Sequence, residues 1–204
     1  MILDLAAQSP EARYHWMTQT VIPRPVAWIL TENDEGGYNL APFSYFNALC
    51  SAPPLVGISM SRKPDGKTPK DTLRNIRARG RFTIHIAAAA QLPDLNESSA
   101  GMPYGESETA RLNIKTESFG ESVRIACAPL AMFCVLHKEI ALDENDNQKL
   151  ILGEIKLLYA ADSAMEKDAK GRAVISAKKV NPIARLSAGN YAKLGEFISL
   201  ARPA

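Results

Sequence analysis

The sequence predicts a mostly β protein, an antiparallel barrel with helical insertions. Three observations carry this. Several stretches alternate apolar and polar residues with a period of two, most cleanly Arg81-Phe-Thr-Ile-His-Ile86. Two turn-forming clusters, Glu32-Asn-Asp-Glu-Gly-Gly37 and Asp143-Glu-Asn-Asp-Asn147, separate pairs of such stretches and make hairpins the natural connection. Helical segments interrupt the strands rather than follow each one, which argues against a doubly wound parallel sheet. A chain of 204 residues without an internal linker fits one domain over 1–204.

Ser9-Pro10-Glu11 opens a first helix over about 10–19, with Ser as N-cap, Pro in the first turn and Ala12, Trp16 and Met17 facing inward. Residues 21–31 read as a strand entered through Pro23 and Pro25. Neither proline can donate to a ladder, so this start lies at an edge or bend and Arg24 is held stiffly between them. After the turn, Tyr38-Asn-Leu-Ala41 returns as a strand into the aromatic, small-polar run Pro42-Phe-Ser-Tyr-Phe-Asn47. Ser51-Ala-Pro-Pro54 makes a corner, and Leu55 to Met60 is the next strand.

That strand exits into the most basic part of the chain. From Ser61 to Arg74 there are five basic and two acidic residues, a local +3 in a chain whose total is only +2. Thr68, Pro69 and Asp71 fall at N-cap, N1 and N3 of a helix running to Arg79, with Gly80 beyond its end. The free N–H groups of such a first turn suit an anion, and the stretch reads either as a phosphate cradle or as a solvated basic loop. Gly66-Lys67-Thr68 is not a P-loop, because Ser61 stands where that motif needs its first glycine.

In 81–86, Phe82, Ile84 and Ile86 share one face and His85 takes the other, as a half-exposed strand histidine. Residues 91–100 read as a helix with Pro93 in its first turn. Residues 101–122 read as a polar, irregular excursion or lid with a short helix near Glu108 to Leu112. Two long strands, Leu130–Leu142 and Leu150–Ala160, flank the acidic tip, with Cys134 in the core. A short strand near 173–176, a looped tail over 181–195 and a small extended piece around Phe197 to Leu200 complete the chain.

The near-neutral total charge argues against nucleic acid as the main partner. No apolar run reaches membrane-spanning length and no leader-like segment opens the chain, so a cytoplasmic protein without a membrane is expected. Cys50, Cys127 and Cys134 are too few for a disulfide framework. His15, His85 and His137 lie apart from one another and from the cysteines, so no metal site is expected. No Gly-x-Gly-x-x-Gly supports a Rossmann dinucleotide site.

Several stretches together resemble one family. Pro23-Arg-Pro-Val-Ala27, Asn39-Leu-Ala-Pro-Phe-Ser-Tyr-Phe-Asn47, Pro53-Pro-Leu-Val56, Lys70-Asp-Thr-Leu-Arg-Asn-Ile76 before Gly80 and Phe82, and Arg185-Leu followed by Tyr191-Ala-Lys-Leu-Gly195 resemble the flavin reductase-like family of FMN-binding split β-barrels. The resemblance implies a Greek-key, antiparallel split barrel and a homodimer binding FMN, rather than FAD, near its interface. It implies a phosphate site made by Arg62, Lys70, the hydroxyls of Ser59, Ser61 and Thr72, and the helix start. Phe43, Ser44 and Asn47 would lie along the isoalloxazine edge; turn chemistry is the other reading of Ser44 and Asn47. Arg24 is either a cation at the flavin N1 and O2 edge or a surface arginine pinned by prolines. Tyr191 either covers the flavin or is an ordinary core or interface tyrosine.

The activity implied is an NAD(P)H-dependent flavin reductase, with NADH or NADPH passing hydride to flavin N5 and no catalytic side chain required. Its electrons would go to a monooxygenase or another electron-transfer partner. The alternatives are a flavoredoxin-like FMN carrier reduced by a protein partner, and a flavin-free barrel with a basic anion site.

Overall fold

The computed structural model describes residues 1–201. The chain begins with α1 (Pro10–Thr20) and the short β1 (Arg24–Pro25). Next come β2 (Ala27–Glu32), β3 (Tyr38–Phe43), β4 (Phe46–Ser51) and β5 (Pro54–Ser61), then α2 (Asp71–Arg79) and β6 (Arg81–Ile86). The middle of the chain holds α3 (Leu92–Glu97), α4 (Glu108–Arg111), β7 (Thr116–Phe119) and β8 (Ser122–Ile125). The long β9 (Leu130–Ala141) and β10 (Gln148–Ala160) follow. The chain then adds β11 (Met165–Lys167), β12 (Ala173–Ile175), α5 (Ala177–Val180), β13 (Ala184–Arg185) and β14 (Tyr191–Ala192).

The main sheet has seven strands in the order β3-β2-β6-β9-β10-β5-β4, with antiparallel neighbours throughout. β3 and β4 are joined only by Ser44 and Tyr45, yet they stand at opposite ends of that order. So short a connection can bridge the two edges only if the sheet curls round on itself. The result is a barrel that stays unpaired, or split, between β3 and β4. Inside it lie Ile29, Val56, Ile58, Phe82, Ile84 and Ile151, and α2 closes one end with Leu73 and Ile76. Gly153 permits this packing, because a Cβ there would fall 2.5 Å from Cζ of Phe82.

A second apolar cluster lies on the outer face of β2, where Trp28 and Leu30 pack with Leu40, Leu95, Ile125 and Ile183. It explains a correction. His85, expected half-exposed, is fully buried. Nε2 accepts the N–H of Ile125 at 3.0 Å, which leaves Nδ1 to donate to the Trp28 carbonyl at 3.0 Å. Burial pushes the imidazole pKa down to about 4, so it is held neutral.

Helix ends also differ from expectation. Ser9 does cap α1, its Oγ accepting the Ala12 N–H at 3.2 Å, but Thr18 is the one buried residue of that helix and Met17 is exposed. The capping box before α2 does not form: the helix starts at Asp71, and Lys70 stands at the N-cap without a side-chain bond. Asp65 takes Thr68 instead, accepting its hydroxyl and the backbone N–H groups of Lys67 and Thr68. A nearer loop acceptor thus outcompetes the helix start. Gly80 ends α2 in the left-handed region at φ +67°, donating its N–H to Ile76 O at 2.8 Å.

The 101–122 excursion is more ordered than expected, holding α4 and the start of the β7–β8 hairpin. It is fastened to the β2–β3 hairpin and to α2. Asn33 Nδ2 donates to Gly105 O at 3.3 Å, Ser107 Oγ bonds both backbone groups of Tyr38, and the Arg74 guanidinium lies 3.6 Å from the Tyr104 ring centre. Phe197 to Leu200 form no strand. No helix among the described residues is long and apolar enough to cross a membrane.

Candidate functional site

Two chambers run along one side of β3 and together form a groove. The smaller, about 320 Å³, lies at the start of α2, between Lys63, Lys70 and Thr72 on one side and Phe43, Met102 and Glu108 on the other. The larger, about 590 Å³, lies under α1, between Tyr14, His15, Arg24, Ser44, Arg185 and Tyr191. Pro42 and Ser99 line both chambers, so the two lie side by side. Each volume is in the range of small-molecule sites.

The small chamber is lined by two lysines, Lys63 and Lys70, and two carboxylates, Asp71 and Glu108, and these are not all paired with one another. Lys63 pairs with Asp71 at 2.8 Å, and Lys70 has no carboxylate within ion-pair distance among the described residues. Burial first, and repulsion from Lys63 second, hold the Lys70 ammonium below its ordinary pKa, with Asp71 pulling the other way. A phosphate bound here would offset the desolvation and the repulsion with its own charge, and the Thr72 hydroxyl lines the same chamber, so the residues fit an anion. Glu108 is buried on the opposite wall, and burial raises its pKa although it accepts the Leu40 N–H at 2.9 Å.

A buried polar network fixes the helix start that forms this chamber. Asn39 Nδ2 donates to Thr72 Oγ1 at 2.9 Å and Thr31 Oγ1 at 3.2 Å. Asn75 Nδ2 donates to Thr31 Oγ1 at 3.1 Å and Asn33 Oδ1 at 2.9 Å, while the Tyr104 hydroxyl, 3.2 Å from Asn75 Oδ1, donates to Asp34 Oδ2 at 2.6 Å. Strands β2 and β3 and helix α2 are thereby tied together by bonds shielded from water, with Tyr104 of the excursion at the network's part-buried edge.

In the large chamber Arg24 is buried, not a surface side chain. Its Nη1 donates to Thr18 O at 2.8 Å and Val21 O at 2.7 Å, its Nη2 to Leu186 O at 2.9 Å, and its Nε to Ser44 Oγ at 3.3 Å. It staples α1 and the 186–191 turn to the barrel. The Arg185 guanidinium lies 4.4 Å from the Tyr191 ring centre, and the Tyr191 hydroxyl reaches Asn96 Oδ1 at 3.5 Å.

Of the residues singled out from sequence, the structure brings Phe43, Lys70 and Thr72 into the small chamber and Arg24, Ser44 and Tyr191 into the large one. It does not bring Ser61 and Arg62 there. They line a separate pocket of about 90 Å³, where Arg62 donates to Asp146 O at 3.2 Å and Lys67 O at 2.8 Å. Ser59 accepts from Gln148 Nε2 at 2.6 Å, and Asn47 lies on the exposed β4 with Oδ1 on its neighbour's N–H, that of Ala48, at 2.9 Å. Sequence reasoning gave no role to Lys63, Ser99, Glu108 or Arg185. The small-residue run Ser98-Ser99-Ala100-Gly101, which lets the chain pass close to β3, was the available signal for the second of these.

A family model described as a flavin reductase like domain matches residues 17–174. An uncharacterized protein of Bacillus subtilis, YwrF, is 34% identical over 200 residues, covering 96% of this chain and 95% of its own. The crystal structure of nitrilotriacetate monooxygenase component B from Bacillus cereus matches with a TM-score of 0.90 at 34% identity, over 98% of each chain. That of 2-nitrobenzoate 2-nitroreductase from Pseudomonas fluorescens matches with a TM-score of 0.85 at 25% identity, over 100% of this chain and 96% of its own. Barrel, groove and matches agree: the chain belongs to the flavin reductase-like family and has its split β-barrel fold.

Proposed function

We propose that the groove holds FMN and that the protein is an NAD(P)H-dependent flavin reductase. The observation that carries this reading is Lys70, a half-buried cation without an acid of its own, at one end of a groove in a flavin reductase-like chain. Lys70, Lys63 and the Thr72 hydroxyl would hold the phosphate, and Phe43 and Ser44 would border the ring where the chambers meet. Arg24, fixed by three carbonyls, would place positive charge near the pyrimidine edge, and Tyr191 would cover the ring from the far side. Ser61 and Arg62 have no part in this reading, because they open onto another pocket. When bound, the flavin supplies the redox chemistry, accepting hydride at N5 from NADH or NADPH. The chain's residues bind, orient and exclude water.

The reading takes 1–204 as one cytoplasmic domain that works as a homodimer and hands electrons to a monooxygenase or another acceptor. The dimer is supported by β4, an edge strand with Leu49 exposed, and by exposed Leu157 and Leu158 on β10. The Bacillus cereus neighbour's description as a monooxygenase component supports such an acceptor.

The test compares FMN with riboflavin, which lacks the phosphate. Lys70→Ala is expected to weaken FMN by about ten-fold or more and riboflavin little, since a charge-assisted bond is worth about 1.5–3 kcal/mol. Arg62→Ala should change neither. Equal losses for both ligands would overturn the phosphate assignment. An anaerobic spectrum of the loaded protein with NADH and then NADPH identifies the donor; a flavin band that neither bleaches would point to a carrier instead.

A further inference from the structure

We propose that Arg185 anchors the anionic group, a carboxylate or phosphate, of a second small ligand that enters the large chamber beside the flavin. The inference rests on the FMN reading for what lies in the rest of the groove, but its own argument comes from charge. Arg185 on β13 stands directly opposite Arg24 on β1 in an antiparallel pair. Like charges in that position repel. Neither arginine has a carboxylate within ion-pair distance among the described residues. The acid that lines the chamber, Glu11, is turned to Ser9 and to its own helix start.

The two side chains are used differently. Arg24 spends most of its donors on Thr18, Val21, Leu186 and Ser44. Arg185 donates from Nη2 to Ala188 O and stacks on Tyr191, while its Nε and Nη1 hydrogens have no acceptor among the described residues. It therefore faces the chamber as a half-buried, planar fork held in place by an aromatic ring, the geometry that suits a carboxylate or phosphate. Ser187 and His15 line the same chamber. The lysines proposed for the FMN phosphate line the other chamber, so this positive charge is left for a different anion. Two sources share the chemistry: an organic acid that accepts electrons, and the phosphate of a nicotinamide nucleotide that donates them.

The experiment titrates apo and FMN-loaded protein calorimetrically with benzoate and with nicotinamide mononucleotide, in wild type, Arg185→Gln and Arg185→Lys. Arg185→Gln should lose about ten-fold or more in affinity for at least one probe. Arg185→Lys should lose less, and FMN affinity should change by less than about three-fold. Whichever probe binds wild type and suffers the loss identifies the source. Without ligand, relief of the Arg24 repulsion should leave the Tm of Arg185→Gln within about 2 °C of wild type or raise it. A clear fall in Tm would make Arg185 a structural residue and overturn the proposal. So would undiminished binding of both probes, no binding of either to wild type, or an equal loss of FMN affinity. Failure of FMN to bind at all sinks the flavin reading alone, because the probes are also titrated on apo protein.

Discussion

The Glu108 carboxylate accepts the backbone N–H of Leu40 at 2.9 Å, and this bond joins the 101–122 excursion to β3 at the wall of the Lys70 chamber. Leu40 lies on an edge strand, where the ladder leaves donors to be satisfied by something else. Burial raises the Glu108 pKa above its ordinary 4.5, so the folded state favours the protonated form. The sign follows: as pH rises from the unfolded value through the raised folded one, this group costs stability. Glu108→Gln keeps an acceptor for Leu40 and removes the charge. It should match wild type at low pH and gain on it above about pH 4.5, in urea unfolding followed across pH. Glu108→Ala should cost about 1–3 kcal/mol at any pH, because the Leu40 N–H is left unpaired.

His85 works in the opposite direction. Its folded pKa is about 4 and its ordinary value 6.5, so the folded state resists protonation. Its contribution is intact above pH 6.5 and is lost as pH falls toward 4, by roughly 3 kcal/mol over the interval. Acid unfolding in that window should flatten in His85→Gln, at the expense of lower stability near neutrality from one imperfect hydrogen bond. An unchanged slope would remove His85 from the acid sensitivity of the protein.

Gly153→Ala tests the interior of the barrel. The new methyl would lie 2.5 Å from the Phe82 ring, which is itself fully buried. Either the ring or β10 must shift, at about 1–3 kcal/mol. The loss should shrink in Gly153→Ala combined with Phe82→Leu, where the ring is gone, and a double-mutant cycle reads that coupling directly.

Asn39→Ala should affect both stability and binding. It removes the donors to Thr72 and Thr31 and frees the start of α2. A cost of about 1–3 kcal/mol in unfolding is expected. If Lys70 holds the flavin phosphate, FMN affinity should fall as well, more than that of riboflavin, although Asn39 itself carries no charge.

The parts of this structure legible in sequence are those decided locally. The β9–β10 hairpin was placed to within a residue or two because its alternation and its acidic tip belong to one stretch of chain. The end of α2 was legible because Gly80 sits at a position that needs a left-handed φ. The start of α2 was not, since Asp65 competes for Thr68 from within the loop. The burial of His85 depends on Ile125 of β8, which meets the second face of β6 from forty residues along the chain. In the site, the basic character of 61–74 was plain, but which cations share a chamber was not. Arg62 and Lys63 are neighbours in sequence and serve different pockets, because Arg62 is drawn to Asp146 at the hairpin tip and Lys63 to Asp71. Arg185 was visible in the sequence; its position opposite Arg24 appears only when the two ends of the chain pair.

That pairing has a consequence for biosynthesis. β1 near residue 24 is completed by β13 near residue 185, and the Leu186 carbonyl is one of the groups that fix Arg24. The seven strands of the barrel can therefore emerge from the ribosome and curl while the large chamber still lacks a wall. The residues that line the Lys70 chamber end at Glu108, and the strands on which α2 packs end with β10. The lining of the groove would thus be completed in sequence, with the large chamber last.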